Sequence, residues 1–242
     1  MTAPTMPVLP GFTAVQHLGS GGYADVYLYE QHAPKRRVAI KVLRDQALSP
    51  KLVDQFTSEA NAMAELAHPH IVPMHYIDEH EGQPYFVMTY IEGTTLARRL
   101  AEGPMTPVDA ARLLTLVCRA VHHAHLQGVL HRDLKPSNVM VTPEERIVLI
   151  DFGIARNLNR GDRKGTMIGT EGYSPPEQYR GLAEPRGDLY ALGATMHHLL
   201  TASDPRLETP FTFHERPLRQ LGQQGFRVKL HVVPPHQDSF AG

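Results

Sequence analysis

The feature that most constrains this chain is a change of hydrophobic period near Gly93. From residue 11 to 42 the pattern is strand-like, and residues 23–29 and 37–42 are rich in β-branched and aromatic side chains between glycine or proline breaks. Ser49-Pro50 then gives a helix start, and Val53, Phe56, Ala60, Met63 and Ala67 recur at helical spacing up to His68-Pro69. Residues 71–77 and 85–91 return to strand character, with Glu81-Gly82-Gln83 as the turn between them. After Gly93 the pattern is helical. Thr106 caps a predicted helix with Pro107 at its first position, Ala110, Leu113, Leu114, Val117, Val121 and Ala124 form its apolar stripe, and Gly128 stops it. A second helical run, residues 188–201, contains Leu189, Leu192, Met196 and Leu199. The expectation is an α+β fold: a small antiparallel-sheet lobe joined to a larger helical lobe, with irregular segments between residues 129 and 178.

Composition narrows the partners. Twenty-four Lys plus Arg against 25 Asp plus Glu leave a formal net charge of −1 in 242 residues, so no global field attracts nucleic acid or an anionic membrane. Any phosphate site must be local. Cys118 is the single cysteine, which excludes an intramolecular disulfide and suits a reducing, cytoplasmic compartment. Residues 1–10 lack the charged and apolar regions of a signal peptide, and no segment offers ~18 uninterrupted apolar residues. This segment therefore reads as soluble and without membrane contact, an anchor elsewhere in a longer parent protein being compatible with it. Three prolines and no periodicity make residues 1–10 a loose tail.

Several segments carry chemistry. Leu18-Gly19-Ser20-Gly21-Gly22-Tyr23-Ala24-Asp25-Val26 reads as a glycine-rich turn between strands, where missing Cβ atoms let backbone N–H groups approach phosphate oxygens; alone it reads more readily as a plain hairpin. No Gly-Lys-Ser/Thr follows, so it is not a Walker A loop. Val38-Ala39-Ile40-Lys41 ends an apolar strand on a lysine, whose buried ammonium needs an anionic partner. Glu59, in the middle of the predicted helix, is the candidate, with a solvated helix surface as the bland reading. Further along, His131-Arg132-Asp133-Leu134-Lys135-Pro136-Ser137-Asn138 is followed, after a short strand-turn-strand, by Asp151-Phe152-Gly153.

This ordered set closely resembles the eukaryotic-type (Hanks-type) serine/threonine protein kinases, in a bacterial-like form. The resemblance implies a bilobal fold with an N-lobe over residues 11–88 and a C-lobe over 89–221. It also implies ATP as phosphoryl donor, magnesium or manganese as metal, and protein substrates bearing Ser or Thr acceptors. In that family Asp133 takes the acceptor's proton, Lys41 pairs with Glu59 and the phosphates, and Asn138 and Asp151 are the hard oxygen ligands a magnesium ion prefers. Lys135 matches the residue that contacts the transferred phosphate in the serine/threonine class. Met88 matches the gatekeeper, the backbone of Thr89 and Ile91 the adenine contacts, and Val26, Ala39 and Met140 the apolar walls around the base. Ala24 stands where the third glycine of G-x-G-x-x-G is usual.

Downstream, Gly169-Thr170-Glu171-Gly172-Tyr173-Ser174-Pro175-Pro176-Glu177 resembles the end of an activation segment, with Pro175 replacing the usual alanine. Asp188 matches a helix aspartate that holds the catalytic-loop backbone, and Arg132 matches an arginine that pairs with an activation-segment phosphate, for which Thr166 is the best-placed acceptor. His122, His123, His125, His197 and His198 lack a supporting ligand motif and are expected to cover helix surface or fill core gaps. The resemblance ends near Leu221: the C-lobe is expected to lack its last helices, and residues 222–242 read as a divergent tail in which 226–233 is strand-like. Arg216, Arg219 and Arg227 have no recognisable context for pairing with Glu177. Two rival functions stand beside the kinase: a truncated, nucleotide-binding pseudokinase or scaffold, and a small-molecule kinase of the aminoglycoside type, which predicts a different catalytic loop.

Overall fold

The computed structural model describes residues 6–152, 170–179, 182 and 184–207. Its first part is a five-stranded antiparallel sheet of β1 (Phe12–Ser20), β2 (Ala24–Gln31), β3 (Arg36–Leu43), β4 (Met74–His80) and β5 (Gln83–Thr89), in spatial order β1-β2-β3-β5-β4. One helix, α1 (Pro50–Ala64), interrupts the strands. Ser49 caps it, its Oγ accepting from the Leu52 N–H at 3.3 Å, and Pro50 occupies the first turn where no N–H is needed. Alternation along the strands divides their side chains between two apolar clusters. Ala24, Ala39, Leu43, Phe86 and Met88 join Phe56, Ala60 and Met63 of α1 in the main core. Tyr27, Tyr29, Val38, Ile40, Val42, Tyr85 and Val87 form a second cluster with Leu9, against which Met6 and Phe12 pack. The start of the chain is thus not uniformly loose: Leu9 is buried, and the Tyr29 hydroxyl donates to the Pro7 carbonyl at 2.7 Å.

After Gly93 come a two-residue strand β6 (Thr94–Thr95), α2 (Leu96–Leu100), α3 (Pro107–Leu126), β7 (Val139–Val141), β8 (Ile147–Leu149), α4 (Pro176–Tyr179) and α5 (Pro185–Thr201), with a 3-10 turn at Pro136–Asn138. Strands β6, β7 and β8 make a small antiparallel sheet. Thr106 caps α3 as expected, and Ala110, Leu113, Leu114, Val117, Val121 and Ala124 are all buried. Helix α5 departs from its predicted stripe: Leu189 is exposed, whereas Gly187, Asp188, Ala191, Ala194, Thr195, His197 and His198 are buried with Leu192 and Leu199. A helix enclosed on most sides has no single apolar face to be read from period alone. At Gly93, with φ of +147°, an added Cβ would lie 2.2 Å from the Val141 carbonyl oxygen, so only glycine lets the linker cross β7 there. Gly153, Thr166, Gly169 and all of residues 208–242, including Arg216, Arg219, Arg227 and the strand expected at 226–233, lie outside the described residues.

Candidate active site

Between the sheet and the helical part lies a cleft of about 660 Å³. Leu18, Gly19, Ser20, Gly21, Gly22, Tyr23, Ala24 and Val26 line its roof, joined by Ala39, Lys41, Met88, Thr89 and Ile91. Asp133, Lys135, Asn138, Met140 and Asp151 line the opposite wall. Of the expected nucleotide-contacting residues only Asp25 does not line it, a correction that follows from strand alternation: Ala24 and Val26 face the cleft, and the residue between them points away. Its carboxylate instead accepts from Arg44 Nε at 2.9 Å and Nη2 at 3.0 Å, while Nη2 also donates to the Gly21 carbonyl at 2.6 Å. Burial opposes ionisation of Asp25, but the bonds from Arg44 and Ser20 outweigh it and hold the carboxyl below its usual range. The Gly21 N–H closes the turn onto the Ala24 carbonyl at 2.8 Å. Asp25 and Arg44 therefore brace the glycine-rich turn from behind.

The roof presents one cation. Lys41 is buried on β3, its Nζ donating to Glu59 Oε1 and, at 3.0 Å, to Asp151 Oδ1. Burial alone would depress its pKa, yet the charges of Asp151 and Glu59 raise it, so the ammonium is held charged. Glu59, fully buried, feels burial and Asp151 pushing its pKa up against the ammonium, and it also accepts from the Tyr23 hydroxyl at 3.3 Å. The bland reading of Glu59 as a solvated residue fails for this reason. Glu59 does not itself line the cleft; it reaches it through Lys41.

The opposite wall has little regular structure and is held by side-chain bonds. Asp188, near the start of α5, accepts from the backbone N–H of His131 at 2.9 Å and of Arg132 at 2.8 Å, the hold expected of it. His125 Nε2 adds a third contact to Asp188 at 2.7 Å. Gln178 Nε2 donates to the Arg132 carbonyl at 2.8 Å. These contacts sustain Arg132 at φ of +64°, a left-handed conformation that costs a non-glycine residue on the order of 1 kcal/mol. The consequence is the position of Asp133. Its Oδ1 accepts from the Thr170 hydroxyl at 2.6 Å and its Oδ2 from Lys135 Nζ at 2.7 Å, while Lys135 Nζ also donates to Thr170 Oγ1 at 2.7 Å. Asn138 Nδ2 donates to the Asp133 carbonyl at 2.8 Å and to Oδ2 at 3.1 Å, bonds that do not use its amide oxygen. Behind them the buried rings of His131 and Phe152 stack at 4.5 Å, and complete burial lowers the His131 pKa so that the ring stays neutral.

Thr170, His125, Gln178 and Arg44 were not distinguishable in sequence as part of this site. Thr170 sits in the predicted activation segment, but nothing local separates its hydroxyl from that of Ser174. His123 stacks on His68 at 5.2 Å and His198 Nδ1 lies 2.5 Å from the Tyr173 hydroxyl, so these histidines pack as expected. No cluster of three or more His, Cys, Asp or Glu suited to a metal occurs among the described residues.

A family model described as the protein kinase domain matches residues 12–232, past Leu221 and across both walls of the cleft. The chain belongs to the protein kinase domain family. Among curated relatives, the kinase domain is 39% identical over 199 residues to the serine/threonine-protein kinase PknB of Mycobacterium tuberculosis, covering 78% of this chain and 32% of PknB. It is 40% identical over 209 residues to PknF of the same species, covering 81% of this chain and 44% of PknF. PrkC of Bacillus subtilis is 38% identical over 193 residues, covering 78% of this chain and 30% of PrkC. The chain thus spans less than half the length of these relatives. Crystal structures of the M. tuberculosis PknI kinase domain match the fold: one at a TM-score of 0.68 and 30% identity, covering 87% of this chain and 83% of that one. A point mutant of the PknI kinase domain matches at a TM-score of 0.71 and 29% identity, covering 93% of this chain and 86% of that one.

Proposed function

We propose that this kinase domain transfers the γ-phosphoryl group of ATP to Ser or Thr hydroxyls of proteins, its own chain included. The observation that carries this reading is the bridging of Lys41 to Glu59 and Asp151 in the same cleft in which Lys135 and Thr170 fix the Asp133 carboxylate. One end of the cleft is apolar, with Val26, Ala39, Met88 and Met140 suited to a purine base. The Thr89 N–H is taken by the Pro73 carbonyl at 2.9 Å, so a base contact through Thr89 falls to its carbonyl and a donated bond to Ile91. The other end places the Lys41 ammonium and the glycine-turn N–H groups where phosphates need cations and donors.

In the transfer, Asp133 orients the acceptor hydroxyl and takes its proton as the new oxygen–phosphorus bond forms and the bridging bond to ADP breaks. Lys135, fixed between Asp133 and Thr170, sets a positive charge beside the phosphoryl in flight. The donor set of Asp151 and Asn138 suits magnesium or manganese, which when bound supplies charge neutralisation on the phosphates. A near-neutral chain favours protein substrates over nucleic acid, and no described helix is long and apolar enough to cross a membrane. The test is incorporation of radiolabelled phosphate into protein Ser and Thr by wild type and Asp133→Asn. Loss of a general base is expected to reduce the rate about 10²- to 10⁴-fold. Equal incorporation by the two proteins would replace this reading with that of a nucleotide-binding scaffold.

A further inference from the structure

We infer that Arg98 is a specificity residue that selects acceptor segments bearing an anionic side chain, a carboxylate or a phosphate, near the Ser or Thr to be modified. The inference deepens the kinase reading and rests on it. Arg98 lies on α2, immediately after the cleft's linker, where its backbone N–H is capped by Thr95 Oγ1 at 3.2 Å and the helix packs on the Pro136–Asn138 turn. Its exposed side chain lines the cleft together with Asp133, Lys135 and Thr95. It also lines an adjoining groove of about 440 Å³, bounded by Thr94, Arg99, Glu102, Thr142 and Glu145, which shares Gly93, Thr94 and Arg98 with the cleft.

Of the four charged residues of that groove, Arg98 alone also borders the cleft. The next arginine is already engaged, Arg99 Nη1 donating to Glu145 Oε2 at 2.6 Å. Arg98 has no hydrogen bond or ion pair through its guanidinium among the described residues. A planar guanidinium fork left open on the lining of the cleft that also holds Asp133 and Lys135 is suited to bidentate capture of a carboxylate or phosphate. The nucleotide phosphates have Lys41 and the glycine turn at the other end of the cleft. An extended acceptor segment must enter the cleft to present its hydroxyl to Asp133, and the groove shares Gly93, Thr94 and Arg98 with that cleft.

The test is fluorescence anisotropy of labelled serine peptides, each with Asp, phosphoserine, Ala or Lys at one of the positions flanking the acceptor. Binding would be measured with a non-hydrolysable ATP analogue present. Wild type is expected to favour Asp over Ala by about fivefold at a defined position, with phosphoserine at least as strong and Lys weakest. Arg98→Glu should invert that order. Arg112→Glu, an equally exposed change on α3, should leave it intact. Matching thermal midpoints would show that the variants are folded. No positional preference in wild type, a preference that survives Arg98→Glu, or an effect confined to the affinity for the ATP analogue would overturn the assignment. Anionic discrimination without phosphate transfer to any peptide would instead sink the transferase reading and leave the anion subsite standing.

Discussion

The two walls of the cleft are held by different physics. Lys41 is placed by a β ladder: β3 is paired on both sides, to β2 and β5, and alternation puts the lysine toward the cleft with Ala39 two residues before it. Asp133 sits in a loop without a ladder, fixed by Asp188 and Gln178 from distant helices and by Asn138 and Lys135 from its own turn. A ladder distributes its cost over many bonds. A loop held by a few polar groups depends on each of them, because an orphaned buried donor or acceptor incurs its full desolvation penalty.

The first way to break this contrast is to attack the ladder wall at the buried ammonium that faces the cleft. Lys41→Met is expected to abolish measurable turnover and to lower the unfolding free energy by about 3–5 kcal/mol, because Glu59 is left buried without its cation. Lys41→Met with Glu59→Leu should recover most of that stability and none of the turnover. Urea denaturation and phosphate incorporation check both, and a double variant as unstable as the single one would show that the wall, not the charge, had failed.

The loop wall should break at a residue that touches no substrate. Asp188→Asn keeps an oxygen for one of the two N–H groups but turns an amide nitrogen toward the other, at a cost of about 1–3 kcal/mol. Its kcat is expected to fall while affinity for an ATP analogue is retained, since Lys41 and the apolar base site are untouched. A parallel loss of nucleotide affinity would mean the two walls are not independent.

The smallest effect is on pH. Burial lowers the pKa of His131, and also those of His68, His75 and His198, below the ordinary histidine value of ~6.5. The unfolded chain therefore takes up protons that the folded chain refuses. Stability is at full strength above ~6.5 and declines as pH falls through that value toward the lowered ones. The urea midpoint should drop between about pH 7.5 and about pH 5.5, and His131→Phe should flatten the slope by less than one proton's worth. An unchanged slope would show that His131 is protonated in place. On the sheet side, burial pushes the Tyr29 hydroxyl up to about 12, so it does not titrate in this range.

The same contrast explains what could be read from the sequence. The sheet, α1 with its Ser49 cap and α3 with its Thr106 cap follow local rules of period and capping, and their elements fall within a few residues of expectation. Lys41, Asp133, Lys135, Asn138 and Asp151 stand in compact, ordered motifs and line one cleft, whereas Glu59, in no motif, was readable only as the acid that a buried lysine requires. Thr170, His125 and Gln178 were not: each bonds a partner between 35 and 63 positions away, so no spacing links them. Asp25 misled because contiguity with the glycine-rich turn says nothing about which face of β2 a residue occupies. Leu9 was missed because Val8-Leu9, a two-residue apolar run between Pro7 and Pro10, is too short to show the period that would betray the sheet face burying Leu9.

The bond from Lys41 to Asp151 joins residues 110 positions apart. Closing so long a loop has an entropic cost that no local element offsets, so the contact belongs to the late, non-local part of folding. Neither the sheet nor the helical part alone can hold a half-made version of the site, and a nascent chain acquires it only after the second wall has been synthesised. Residues 1–100 expressed as a fragment would contain Lys41 and Glu59 and yet no reaction centre. In this architecture the chemistry is also a record that the whole domain has come together.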